Sequence, residues 1–144
     1  MTYHFDLIIK EIFFDLIKKK KLEVTLVDNQ TVMFKSRITQ NYVEFIMSRD
    51  GVDVLYIMPI NEINEIQYNI GEYISNKILP QDRLYIDLHY ETFFDKIIIE
   101  LKILNNTFKR LEGFIFSTDN SWLEDYKNSP YFEEPRIMNF NNTQ

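Results

Sequence analysis

The chain has 144 residues, of which 45% are hydrophobic and 15% aromatic, which is enough to build the core of one domain. It contains no cysteine, which excludes disulfide scaffolds, thiolate metal sites and cysteine nucleophiles. The net charge of −6 disfavours broad binding to nucleic-acid phosphates, and charged residues interrupt every apolar run before the ~18–20 residues of a membrane-spanning helix.

The N-terminal stretch has the three- and four-residue apolar spacing of an amphipathic helix that covers a core. Lysines 18–21 follow it, as suits a helix C-terminus, whereas a secretory signal carries its positive charge in front of the apolar run. We therefore expect a cytoplasmic protein. A helix lying on a membrane surface is the alternative, although acids interrupt its polar face. The apolar positions are Phe5, Ile8, Ile9, Ile12, Phe13, Leu16 and Ile17.

From Leu22 the apolar period changes to two, which predicts β-strands separated by polar turns. Five short strands follow one another before residue 71. Leu22, Val24 and Leu26 share one face of the first strand, and Val32, Phe34 and Ile38 face inward on the second. The remaining strands are marked by Val43, Phe45 and Met47, by the run 54–58, and by Ile66, Tyr68 and Ile70.

The fourth strand ends at Pro59, which has no amide hydrogen for a sheet ladder. Ile60 and Ile63 have three-residue spacing, which predicts one turn of 3₁₀ helix before the fifth strand. Such a turn carries the chain across the mouth of a small, strongly bent barrel. We therefore predict a five-stranded barrel whose end is plugged by these two isoleucines.

This order of elements resembles the Sm-like fold, the small barrel of the Sm and bacterial Hfq proteins, over residues 3–70, and an SH3-like barrel is the alternative with a similar pattern. "LEVTLVDNQTVMFKSRI" looks like the first hairpin of that family, and "VLYIMPINEINEI" looks like its fourth and fifth strands. Larger residues around Ser36 replace the glycine of the family's second strand. The Hfq-type Tyr-Lys-His is here Tyr56-Ile57-Met58, so the family's RNA-binding residues do not carry over.

The sequence of the second half predicts further β-structure. We therefore expect a mostly β protein within the α+β class. After a barrel domain over 1–70 we place a connector at 71–82 and a β-rich segment at 83–117. In that segment residues 83–91 alternate like a strand. Residues 93–112 fit either a helix or a hairpin, and Asn105-Asn106 in their centre favour the hairpin.

An acidic, aromatic tail follows over 118–144. In it, Trp122, Leu123 and Tyr126 predict a last helical turn that docks on the barrel. We expect the tail to be partly disordered, with extended or poorly ordered chain beyond Pro130.

Catalytic chemistry has one candidate set, Asp87, His89 and Glu91, which a strand would direct to one side as possible ligands of a divalent metal. Successive same-face residues lie ~6.5–7 Å apart along a strand, which is too far for three of them to share one ion without a bend. A solvated outer face is therefore the preferred interpretation. We predict no enzyme, no cofactor and no metal, and keep a metal-dependent enzyme as an alternative.

Nucleic-acid binding has one candidate patch, with Tyr42 and Phe45 available for stacking. It would serve an RNA-binding Sm-like ring, the second function considered. Its cationic residues are Lys18, Lys19, Lys20, Lys21, Lys35 and Arg37.

Protein binding has more support, from the acidic surface, the aromatic tail and the strand edges. We therefore predict a non-catalytic binding or assembly protein, such as an acidic inhibitor or immunity-type protein against a basic partner, with homo-oligomerisation through edge strands possible. Aromatic residues are enriched in binding hot spots. The candidate anchors are Tyr126, Tyr131, Phe132 and Phe140, and packing of the tail within the chain is their alternative.

Overall fold

The computed structural model describes residues 4–112 and 114–139, which form an α+β fold of five helices and six strands. The described residues also include two short 3₁₀ helices, Pro80–Arg83 and Phe114–Phe116. The helices are α1 (Phe5–Ile12), α2 (Phe14–Lys20), α3 (Gly71–Lys77), α4 (Phe93–Arg110) and α5 (Ser121–Lys127). The strands are β1 (Leu22–Asp28), β2 (Thr31–Ser36), β3 (Tyr42–Ser48), β4 (Gly51–Pro59), β5 (Asn64–Asn69) and β6 (Arg136–Asn139).

The five predicted strands are confirmed, and each pairs antiparallel with the next. The second one ends at Ser36, so the prediction that Ile38 faces inward on it is wrong, and Ile38 is 55% exposed. Register places one continuous row of apolar side chains across all five. Because side chains alternate between the two faces of a strand, this row marks the face that is buried. The row is Val24, Phe34, Val43, Tyr56 and Tyr68.

The predicted N-terminal helix is also confirmed, with an interruption at Phe13 that divides it into α1 and α2. Phe13 is itself buried, so the interruption does not move the apolar stripe off the core. Lys21 ends α2 in the left-handed conformation, with φ of 53°. The lysine run therefore lies in the last turn, as the helix dipole favours.

The predicted barrel is not confirmed, because the described residues form an open sheet in the order β1-β2-β3-β4-β5-β6. The second edge of β5 is occupied by β6, a strand that the sequence did not predict. The Tyr126 hydroxyl helps to position this strand, since it accepts a hydrogen bond from the Glu133 amide at 3.1 Å and lies 3.1 Å from the Asn69 carbonyl. The tail thus takes the position that β1 would need in order to close a five-stranded barrel.

The prediction of a 3₁₀ turn between β4 and β5 is wrong. The Asn61 side chain accepts hydrogen bonds from the amides of Ile63 and Asn64, both at 2.9 Å, and so closes a short hairpin loop. Pro59 is the last residue of β4, still paired in the ladder. Ile60 is 51% exposed, so the two isoleucines do not plug a barrel end.

Two predictions for the second half are wrong as well. Residues 84–91 contain no strand, and residues 93–110 form α4 in place of the favoured hairpin. The Thr92 side chain caps α4 by accepting a hydrogen bond from the Asp95 amide at 3.1 Å. The helical spacing that competed with the hairpin places four large apolar side chains in the core, which outweighs the poor helix propensity of its asparagines. These are Ile97, Leu101, Leu104 and Phe108.

A single core lies between the helices and one face of the sheet. Phe13 of the N-terminal segment stacks on Phe45 of β3, and Phe108 of α4 lies 6.2 Å from Phe13 between ring centroids. The predicted docking turn near the C-terminus is confirmed as α5, whose Trp122, Leu123 and Tyr126 are buried. Within the described ranges, no helix has the length and hydropathy that a membrane span requires.

Candidate protein-binding surface

The other face of the sheet, which we call the outer face, lies away from this core. Strand alternation places Met33, Tyr42, Glu44, Leu55 and Ile57 on it. None of the five belongs to the core cluster or packs against it. Ile57 is nevertheless only 2% exposed, so neighbours on the outer face already cover it. This face is therefore partly apolar and, among the described elements, carries no helix of its own.

A groove of about 460 Å³ crosses the outer face from β2 to the β4–β5 loop, and we call it the sheet groove. Its polar lining is acidic, since Glu44, Glu62 and Glu65 all contribute to it, together with two asparagines. Its apolar lining consists of Met33, Tyr42, Ile57 and Pro59. The sheet groove thus combines apolar contact area with negative charge, which is the composition of a surface for a cationic partner.

Burial raises the pKa of Glu44, and repulsion from Glu65 and Asp28 raises it further. In the part of the chain that the structure describes, no lysine or arginine forms an ion pair with Glu44, Glu62 or Glu65. The Gln67 side-chain amide, an uncharged donor, gives a hydrogen bond to Glu65 at 3.0 Å. Glu44 therefore has the cost of desolvation without the compensation of a cation.

A second acidic region, which we call the acidic cleft, lies between the β3–β4 turn, α3 and α4 and encloses about 500 Å³. Its central carboxylate is Glu100 of α4. Burial raises the pKa of Glu100, and Lys96 and a hydrogen bond from the Val52 amide partly offset this. The carboxylate lies so close to Gly51 that a β-carbon there would be 2.8 Å from Oε2. The other acidic residues of the cleft are Asp50, Asp53, Glu72 and Glu133, with Arg83 as the cation.

Asp82 is the most buried carboxylate and is fully paired. Its Oδ1 accepts from Arg110 Nε at 2.9 Å, and its Oδ2 accepts from Arg110 Nη2, Thr107 Oγ1 and the Leu79 amide at 3.0, 2.9 and 2.8 Å. Burial opposes its ionisation, but these hydrogen bonds together hold the pKa of Asp82 below its usual value. These hydrogen bonds join the Pro80–Arg83 segment to α4, so the role of Asp82 is structural.

The candidate metal ligands Asp87, His89 and Glu91 lie in an exposed loop instead of a strand. His89 Nε2 is 3.6 Å from Glu91 Oε1, and Asp87 accepts a hydrogen bond from the backbone amide of His89. Across residues 4–112 and 114–139, no three potential ligands converge on a point where a metal ion could sit.

The candidate nucleic-acid residues are only partly brought together. The Arg37 amide donates to the Lys21 carbonyl at 3.3 Å, so the lysine run lies beside Arg37, whose side chain pairs with Glu23 at 3.0 Å. Lys35 is the cross-strand neighbour of Glu23 on the outer face, and its ammonium lies 5.7 Å from the centre of the Tyr42 ring. Phe45 is buried in the core, so the prediction that it is available for stacking is wrong.

The candidate aromatic anchors are mostly engaged within the chain. Tyr126 is fully buried, with its ring centre 5.4 Å from that of Phe132. Tyr131 accepts a hydrogen bond from Asn76 at 2.7 Å. Tyr131 and Phe132 are partly buried against the core, and Phe140 lies outside the described residues. Packing of the tail within the chain therefore accounts for the three described rings.

Sequence reasoning missed Glu44, Ile57 and Glu65. A signal for them was present, because the strands around them are apolar on both faces, as in "YVEFIM" and "VLYIM". A strand with one solvated face normally alternates between apolar and polar residues, so a near-continuous apolar run indicates that both faces are covered. One face of this sheet is covered by helices, and the other is a candidate for a partner.

Comparisons of the chain with protein-family models, with curated proteins and with solved structures find no match.

Proposed function

We propose that the protein is a non-catalytic binding protein that uses the outer face of its sheet to hold a basic protein partner. The observation that carries this proposal is the sheet groove, where Glu44, half-buried and under repulsion from Glu65, lacks a neutralising cation among the described residues. An inhibitor of a basic, nucleic-acid-handling protein is one form of this function.

The free protein and the complex would differ in how the charge of Glu44 is compensated. A desolvated carboxylate without a cation destabilises the free protein. A cationic side chain from a partner would remove this destabilisation. The cost of removing water from the carboxylate on binding would be small, because burial has already displaced part of that water. The apolar residues Met33, Ile57 and Pro59 would supply contact area beside it. The net charge of −6 would attract a basic partner over a distance and speed association.

The test begins with affinity capture on the immobilised full chain, followed by mass spectrometry and recombinant production of the captured protein. Titration calorimetry with that purified partner then gives the dissociation constant in about 50 mM and about 300 mM salt. We expect a partner with a basic surface and an affinity that falls clearly with salt.

A charge-matched pair of variants locates the surface. The first reverses Glu44, Glu62 and Glu65 to lysine, and the second reverses Glu11, Glu91 and Glu124, which are exposed and lie outside the sheet groove. Both change the net charge by the same amount. We expect at least about a tenfold loss of affinity for the first variant and a much smaller loss for the second.

Equal losses for the two variants would mean that net charge alone acts, and the proposal for the outer face would fail. Retention of RNA by the purified chain, abolished by mutation of lysines 18–21, would support the RNA-binding ring in its place. Gel filtration with light scattering, recorded at 260 and 280 nm, distinguishes that outcome from the start.

A further inference from the structure

We infer that the sheet groove is an arginine pocket: it accepts the guanidinium of an arginine that the partner protein presents. The inference rests on the proposed function and narrows it to one type of side chain at one place. It follows from the arrangement of apolar and acidic groups within the groove.

The middle of the groove is apolar. Ile57 is nearly fully buried on the outer face, and Tyr42 is its cross-strand neighbour on β3. Met33 and Pro59 line the groove with them. A surface of this kind suits the three methylene groups of an arginine side chain, which pack on apolar residues while the charged end stays polar.

The charged end of the arginine has a carboxylate to meet. Glu44 pairs across the strands with Met33 on one side and Leu55 on the other, so it stands between two apolar residues. A guanidinium forms two parallel hydrogen bonds with a carboxylate, and these bonds are stronger where water is excluded. Glu65, which acts electrostatically on Glu44, would add to the attraction.

Tyr42 distinguishes arginine from lysine. The Lys35 ammonium lies 5.7 Å from the centre of its ring, a distance at which an aromatic ring attracts a cation of either kind. A planar guanidinium can also stack on such a ring and is less strongly hydrated than an ammonium group. Entry into a half-buried acidic groove therefore costs less for arginine than for lysine.

A bound divalent cation would be the other way to neutralise these acids. In the described ranges the three carboxylates do not form a group that could hold a metal ion. A flat, forked organic cation needs only one carboxylate and an apolar surface, and the groove provides both.

The experiment uses three short synthetic peptides that differ only at a central residue: arginine, lysine or citrulline, which keeps the shape of arginine without its charge. Each is titrated into the ¹⁵N-labelled full chain, and amide shifts are followed by NMR. For the arginine peptide we expect saturable shifts at Tyr42, Glu44 and Ile57. Binding should weaken at least about tenfold with citrulline and about threefold or more with lysine.

The variant Glu44→Gln should weaken the arginine peptide at least about tenfold while leaving the citrulline peptide unchanged. Glu124→Gln removes one charge from an exposed position on α5 and should leave both titrations unchanged. Equal binding of the arginine and citrulline peptides, shifts elsewhere on the protein, or full binding by Glu44→Gln would overturn the inference.

The two proposals can fail separately. If the captured protein binds the sheet face in the charge-reversal test but no arginine peptide does, the arginine pocket is wrong and the binding function stands. If no basic protein is captured and the arginine peptide still saturates the groove, the pocket stands and the protein-binding function fails.

Discussion

Asp82 and the sheet-groove residue Glu44 are both carboxylates removed from water to some degree, but they differ in the hydrogen-bond donors and cations around them. Asp82 is 2% exposed, and three donor residues supply it with four hydrogen bonds, two of them from the charged Arg110. Glu44 is half-buried beside other acids, and no described cation pairs with it. The chain thus contains a fully satisfied buried carboxylate, yet leaves another without compensation on a surface that faces solvent.

Glu100 in the acidic cleft is intermediate between these two. It accepts one backbone hydrogen bond and has Lys96 nearby, but its pKa is still raised by burial. Among these three carboxylates, the pKa is lowered only for Asp82, where several donors including a cation surround the group, and burial raises the pKa of the other two. A site that lowers stability is expected where a function requires it, which is why the uncompensated member of the series is the candidate for binding.

The largest effect should come from Asp82→Ala, because it leaves the partly buried Arg110 guanidinium without a carboxylate partner. Loss of one partner of a buried ion pair typically costs about 3–5 kcal/mol. Asp87→Ala removes an exposed aspartate five residues later and should cost about 0.5 kcal/mol or less. Urea denaturation of both variants measures the difference, and similar costs would contradict the structural role of Asp82.

A smaller loss should follow from Gly51→Ala in the acidic cleft. Gly51 has φ of 125°, and a β-carbon there would lie 2.8 Å from Glu100 Oε2, so the substitution combines backbone strain with a clash. We expect a loss of about 1–3 kcal/mol in the free energy of unfolding. Gly71→Ala is the matched control, because its β-carbon would meet Asn69 at an ordinary 3.5 Å. Equal losses in both variants would show that neither the backbone strain at Gly51 nor its contact with Glu100 costs stability.

The smallest effect, and the one with the opposite sign, should come from Glu44→Gln. The folded-state pKa of Glu44 is raised above 4.5, so its ionisation lowers stability as pH rises from 4.5 through the folded pKa. The variant should therefore match the wild type below about pH 4 and melt about 1–2 °C higher at pH 7. Asp82 behaves in the opposite way, since its contribution is present above 3.8 and is lost as pH falls through its lowered pKa. Melting curves of the wild type and Glu44→Gln from pH 3.5 to 8 test the sign, and a lower melting temperature for the variant at pH 7 would contradict it.

The strands over residues 22–69 could be predicted because their signal is local. Alternation of apolar residues, turn residues such as Asp28-Asn29-Gln30 and the Pro59 boundary all act within a few positions of the chain. The helix over residues 93–110 was harder to predict from the sequence, because the propensities of Ile97-Ile98-Ile99 and Asn105-Asn106 favour a hairpin. Its type was decided by Phe108 and Leu101, which reach the core only from one stripe of a helix.

Residues 84–91 illustrate the reverse error. Their alternation is strand-like, but a strand needs a partner, and the sheet formed by the described residues consists of β1 to β6 without them. Leu84 and Leu88 therefore remain exposed in a loop. Of the candidate site, the acidic character could be expected from composition and the cover over Ile57 from the near-continuous apolar run, whereas the grouping of Glu44 with Glu62 and Glu65 in one groove could not.

The sequence by itself determined the local elements and the charge: an amphipathic N-terminal helix, five antiparallel strands and a surface with an excess of acid. Only the tertiary structure decided that the sheet stays open, that the tail adds β6, and that all helices in the described residues pack with one face. The physical reason is range. Propensity and periodicity act between near neighbours, whereas the burial of a carboxylate and its lack of a cation depend on side chains that are distant in sequence and meet only after folding.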